Sequence, residues 1–132
     1  MPTRAIYTFL NFPLQDESGY TFYVHHDGYP SGCAEKIRRA LKMCSVDYAL
    51  PYSFFFAPNM RAERVKDADL IGDLNYKWLF NYRQEKGGVF ISGWRRNLAA
   101  FENNLEPEWL RVCGPEPLKD FLLRYPESSF DA

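Results

Sequence analysis

Residues 20–44 read YTFYVHHDGYPSGCAEKIRRALKMC, a strand, a polar turn and a helix in direct succession. In an extended segment Tyr20, Phe22, Val24 and His26 share one face, and Thr21, Tyr23 and His25 the other. Aromatic and β-branched residues suit a packed, pleated surface. Asp27-Gly28 ends the strand, because glycine tolerates positive φ and aspartate bonds its own following backbone. On this reading Gly28 takes the reversal and tolerates neither a Cβ nor a negative φ. Pro30 fixes its own φ and biases Tyr29 towards an extended backbone. Ser31 then reads as the N-cap of a helix over 32–45. Cys33, Ile37, Leu41 and Cys44 form its inward stripe, with Lys36, Arg38, Arg39 and Lys42 mostly outside it.

The turn 25–32 carries the densest polar and aromatic chemistry in the chain. His25 and Asp27 suggest an imidazole oriented by a carboxylate for general-base work. The blander reading, Asp27 capping the turn and His25 bracing it, is favoured. His25 and His26 point to opposite faces if the strand persists, and no Cys or carboxylate cluster completes a metal set, so no metal and no cofactor is expected. The basic helix face of Lys36, Arg38, Arg39 and Lys42, with Tyr29 nearby, offers charge for an anion and a ring for stacking, although an ordinary solvated face is the favoured reading. Trp94-Arg95 at a strand end suits interfacial contacts. The candidate binding residues are therefore His25, His26, Asp27, Tyr29, Arg38, Arg39, Trp94 and Arg95.

The string H-x-D-G-Y-P-x-G, formed by His25, Asp27, Gly28, Tyr29, Pro30 and Gly32, resembles a motif of small uncharacterised phage and prophage proteins, where it also joins a short aromatic strand to a helix. Gly72-Asp73-Leu74-Asn75-Tyr76-Lys77 resembles their second common feature, a G-D-(apolar)-x-Y-(basic) strand start. The resemblance spans about the first two-thirds of the chain. It departs from the pattern at His26, where the family has an aromatic, usually Trp. It implies a phage origin and no particular chemistry.

Outward from the centre, Arg4 to Leu10 alternates as a first strand, which pairs with the second across the loop 11–19. Tyr52 to Ala57 is apolar without clear period, a short buried helix or a packed loop. Residues 58–73 are polar and show no apolar stripe. Leu74, Tyr76, Trp78, Phe80 and Tyr82 alternate with Asn75, Lys77, Asn81 and Arg83, interrupted by Leu79. A hairpin loop over 84–88 leads to a return strand, Val89 to Trp94. Residues 95–104 fit a helical turn or a strand edge. Glu108 to Cys113 is a last strand, broken by Gly114-Pro115, and Pro117 opens a final helix with core positions Leu118, Phe121, Leu122 and Tyr125. The order predicts an α+β fold with a mainly antiparallel sheet of four to five strands and helices packed on one face.

At 132 residues the chain is one domain, 1–132. Its net charge of −1 gives no global field towards nucleic acid or membrane, although 33–66 is locally basic and 102–132 locally acidic. Three cysteines, Cys33, Cys44 and Cys113, show neither metal spacing nor an even disulfide framework and read as core thiols in a reduced compartment. No signal peptide and no long apolar run is visible, so a cytoplasmic protein of the host bacterial cell is expected, without a membrane partner. The P-loop, G-x-S-x-G, dinucleotide and H-E-x-x-H motifs are absent. The reading that results is a phage accessory protein acting by binding. It would inhibit host defence by occupying a host protein or sequestering a nucleotide-like signal. A small hydrolase or transferase using His25 and Asp27 is the rival, and a nucleic-acid-binding module the third reading. The 17% aromatic content predicts exposed rings and a possible homodimer through the strand 74–83 or the final helix.

Overall fold

The computed structural model describes residues 3–13, 19–56, 60–66, 73–103 and 105–126. The strands are β1 (Ala5–Leu10), β2 (Gly19–Val24), β3 (Ala62–Val65), β4 (Tyr76–Arg83), β5 (Gly88–Arg96) and β6 (Trp109–Pro117). The helices are α1 (Pro30–Cys44), α2 (Leu50–Phe56) and α3 (Leu118–Arg124). The fold is α+β, and the strands form one sheet in the order β3-β2-β1-β4-β5-β6.

The expected sheet was smaller and mainly antiparallel; the observed one is six-stranded and mixed. Four pairings are antiparallel, whereas β1 and β4 run parallel, with Ala5 opposite Tyr76 and Leu10 opposite Asn81. The extra strand is β3, whose sequence Ala-Glu-Arg-Val lacks alternation because it is a short, half-exposed edge. The parallel seam requires the chain between β1 and β4 to cross over the sheet, and α1 and α2 make that crossing.

Alternation in β1, β2 and β4 puts Tyr7, Phe9, Phe22, Trp78 and Phe80 on one face. Ile37 of α1, Phe54 of α2 and Phe121 of α3 pack into the same buried cluster. All three helices therefore cover that face, and rings meet rings across it: Phe9 stacks on Phe80 at 5.0 Å and tilts against Phe54 at 5.1 Å. The large aromatic content is spent mostly in this core. Exposed rings were expected, and among the described residues the large exposed hydrophobics include the aromatics Tyr29, Tyr48 and Phe101. Strand β4 is hydrogen-bonded on both sides, to β1 and to β5, so a homodimer that used it would meet its face and not its edge.

Three boundaries differ from expectation. The helix α1 begins at Pro30 with Tyr29 as N-cap in extended geometry, so Ser31 lies inside the first turn and caps nothing. Pro30 thus occupies the N1 position, where its missing N–H costs nothing. Strand β6 continues through Gly114-Pro115 to Pro117, with bulges in its register against β5, so the dipeptide bends the strand without ending it. Residues 95–103 divide between the end of β5 and a 3-10 turn at Leu98–Phe101. The loop residues 14–18, and Gly72 of the second motif string, lie outside the described residues.

Candidate functional site

Strand β2 ends at Val24, and the chain leaves the sheet at His25. Asp27 takes the left-handed conformation (φ 62°), the position that sequence reasoning assigned to Gly28. Gly28 has no positive φ; its requirement is space. A Cβ there would lie 2.6 Å from Ala5 Cβ and 2.9 Å from the Thr3 carbonyl oxygen. The Gly28 amide donates to Thr3 O at 2.9 Å, and Trp78 Nε1 donates to Gly28 O at 2.7 Å. The turn is thus clamped between β1 and a buried tryptophan at the sheet centre.

Ending the strand at Val24 also releases the two histidines from opposite faces. Their rings meet edge to face at 4.6 Å, and both line one cleft of about 510 Å³. The other polar walls are Asp27, Lys36 and Arg39 of α1, and Arg61 just before β3. A smaller hollow of about 60 Å³ shares Asp27, Lys36 and Arg39 and adds Tyr29, Gly32 and Glu35. Lys36 was expected mostly outside the helix stripe; it is buried, and its ammonium donates to the Met60 carbonyl at 2.7 Å. Burial and, to a lesser degree, Arg39 lower its pKa. That carbonyl fixes the ammonium beside the turn, and Arg61 immediately follows Met60.

His25 Nδ1 lies 2.9 Å from the Tyr23 hydroxyl and 3.4 Å from Arg4 Nε. Arginine only donates, so Nδ1 accepts and the neutral ring carries its proton on Nε2. Local desolvation, His26 and Arg4 lower the His25 pKa below the ordinary histidine value, which favours the neutral ring at pH 7. Asp27 does not orient that ring: its carboxylate accepts instead from the Tyr29 hydroxyl at 3.1 Å. Desolvation and this bond raise the Tyr29 pKa. The cleft therefore offers two guanidinium groups, the Lys36 amine and two imidazoles against one carboxylate, the chemistry of an anion site. Among the described residues no group of three or more His, Cys, Asp or Glu converges to hold a metal.

Of the eight residues expected to bind, His25, His26, Asp27 and Arg39 line the cleft, and Tyr29 lines the adjoining hollow. Arg38 does not. Its guanidinium donates to the carbonyls of Leu122 and Tyr125, satisfying the C-terminal end of α3. One step along α1 turns the side chain by about 100°, which separates Arg38 from Arg39. Trp94 and Arg95 stand on β5 and touch neither hollow. Sequence reasoning missed Arg61, which sits in a polar stretch without pattern. It named Lys36 in the basic helix face but expected it outside the buried stripe, although its place one residue before Ile37 puts it beside that stripe. Half-burial and Glu116 push the Cys113 pKa up to about 11, which keeps the thiol protonated at neutral pH.

Comparison with known family models, curated proteins and solved structures finds no match.

Proposed function

We propose that the protein acts by binding a small anionic ligand of nucleotide type in the cleft beside the His25–Gly32 turn. One observation carries this reading: Lys36, Arg39 and Arg61, from two separate segments, converge with both imidazoles on a single concavity. The phosphates would meet the cations, and the exposed ring of Tyr29 borders the side hollow where a base can stack. The setting we infer is the cytoplasm of an infected bacterium. There a phage accessory protein would interfere with host defence by sequestering a nucleotide signal. That setting rests on the motif resemblance, and the ligand class rests on the cleft. The test is a thermal-shift and calorimetric screen of linear and cyclic nucleotides against inorganic phosphate. The expected result is saturable binding that Arg39→Ala weakens about tenfold or more, with the melting temperature of the free protein unchanged. No binding by any nucleotide, or equal binding by the variant, overturns the proposal.

A hydrolase or transferase is the second reading. The observation in its favour is the neutral His25 at an accessible cleft rim. Without a carboxylate on His25 the imidazole would act as a lone base. Turnover of a nucleotide that His25→Ala abolishes would replace sequestration by catalysis.

A further inference from the structure

None of the described helices covers the second face of the sheet, and its β4–β6 half has a composition that a solvated surface does not need. Register places Lys77 (β4), Trp94 (β5) and Arg111 (β6) in one row across the strands, with Arg96 and Trp109 in the next. Trp94 must face this way, since its neighbour Gly93 lies under the Trp78 ring on the core face. Cations and rings interleave. Lys77 Nζ lies 4.4 Å and the Arg96 guanidinium 4.7 Å from the Trp109 centroid, and the Arg111 guanidinium 5.3 Å from that of Trp94. Farther along, Arg83 and Lys86 flank Phe90 at 5.5 and 5.3 Å. Among the described residues Glu108 pairs with Arg96 and Glu85 with Arg83, each at 3.0 Å. Lys77 and Arg111 have no carboxylate partner among the described residues.

We propose that this face is a second binding surface, separate from the cleft, for single-stranded nucleic acid. A flat partner with alternating anionic and aromatic groups matches alternating cations and half-exposed rings. Bases stack on Trp94 and Trp109, displacing or sandwiching the side chains now over them, while phosphates take Lys77 and Arg111. The charge argues against a second copy of the chain, because face-to-face pairing would set like charges opposite one another. Breadth argues for a strand: the two rows span three adjacent β-strands, about 10 Å, which is room for successive bases. The overall charge of −1 does not oppose this, since Lys77, Arg83, Lys86, Arg96 and Arg111 stand together beside the rings of this face.

The probe is a fluorescein-labelled oligothymidylate, read by anisotropy across a salt series, with tryptophan fluorescence followed in parallel. The expected result is binding at low salt that quenches tryptophan emission and weakens steeply with salt. Trp94→Ala or Trp109→Ala should weaken it about tenfold. Lys77→Gln and Arg111→Gln should each shallow the salt dependence by about 0.7 in log–log slope. Arg39→Ala, in the cleft, should change nothing, which separates this surface from the nucleotide reading. Lys77→Gln and Arg111→Gln leave both rings in place, so they remain informative if a tryptophan variant fails to fold. The proposal fails on any of three outcomes: no binding at low salt, binding equal in all four face variants, or equal binding of polyglutamate, which would show charge without stacking.

Discussion

Gly28 and His25 show how much one position depends on its neighbours. The need for glycine at position 28 was legible from the sequence, but its reason was not. The backbone reversal sits on Asp27, and Gly28 is confined by Thr3 and Ala5, which no local pattern links to it. Gly28→Ala should therefore destabilise by about 1–3 kcal/mol, through overpacking against backbone, as a lowered urea midpoint with unchanged m-value would show. His25 makes a pH prediction. Its folded pKa lies below the ordinary value of about 6.5. The folded state thus holds fewer protons there than the unfolded chain, and this contribution to stability falls as pH drops through that range. Anion binding moves the other way, because protonation adds positive charge to the cleft rim. Affinity for the nucleotide should be flat above about pH 6.5 and rise below it, with a smaller rise in His25→Gln, measured by calorimetry in matched ionic strength.

At the scale of elements, α1 performs two tasks on two sides, and the basic residues divide between them. Lys36 and Arg39 serve the cleft, and Arg38 ties α1 to the end of α3. Helical periodicity distinguishes the faces but does not say which partner each will meet, so the sequence placed Arg38 and Arg39 together. Arg38→Ala should lower stability by about 1–3 kcal/mol by removing the donor to the Tyr125 carbonyl at the end of a seven-residue helix, while Leu122 O keeps the Tyr125 amide. It should leave nucleotide affinity as it was, the reverse of Arg39→Ala; paired urea melts and titrations check the contrast. Strands β1, β2, β4 and β5 were legible because one face of each is buried and alternation records burial. The edge strand β3 was not, since its two middle residues, Glu63 and Arg64, are exposed and charged, Ala62 and Val65 are only partly buried, and its place comes from pairing with β2. The strand β6 was foreseen to start near 108, but its passage through Gly114-Pro115 depends on bulges that only β5 defines.

Across the whole molecule, the sheet divides the chemistry: a cleft lined by Lys36, Arg39, Arg61 and two imidazoles at the end of β2, and a cation–aromatic face on β4–β6. No described helix is long and apolar enough to cross a membrane. The charge asymmetry seen in the sequence ran along the chain, but charge on the fold is sorted by sheet face and element. Lys77 and Arg96 work with Trp109, 32 and 13 positions away. The central parallel pairing of β1 with β4 has a kinetic consequence. Ala5 meets Tyr76, so that seam closes a loop of about 70 residues, a cost in chain entropy that the neighbouring hairpins do not carry. The β4–β5 hairpin can form from local contacts, whereas the seam must wait until both of its flanks exist. Ile6→Ala, at the seam, should therefore mainly accelerate unfolding, while Val89→Ala, in the hairpin, should mainly slow refolding. Stopped-flow chevrons distinguish the two, and a seam variant that slows refolding as much as it destabilises would place the long-range closure before the barrier. If the seam does close last, the turn at Gly28, clamped from β1 and β4 together, becomes rigid only in the final step, and the cleft it borders is the last part of the molecule to acquire its shape.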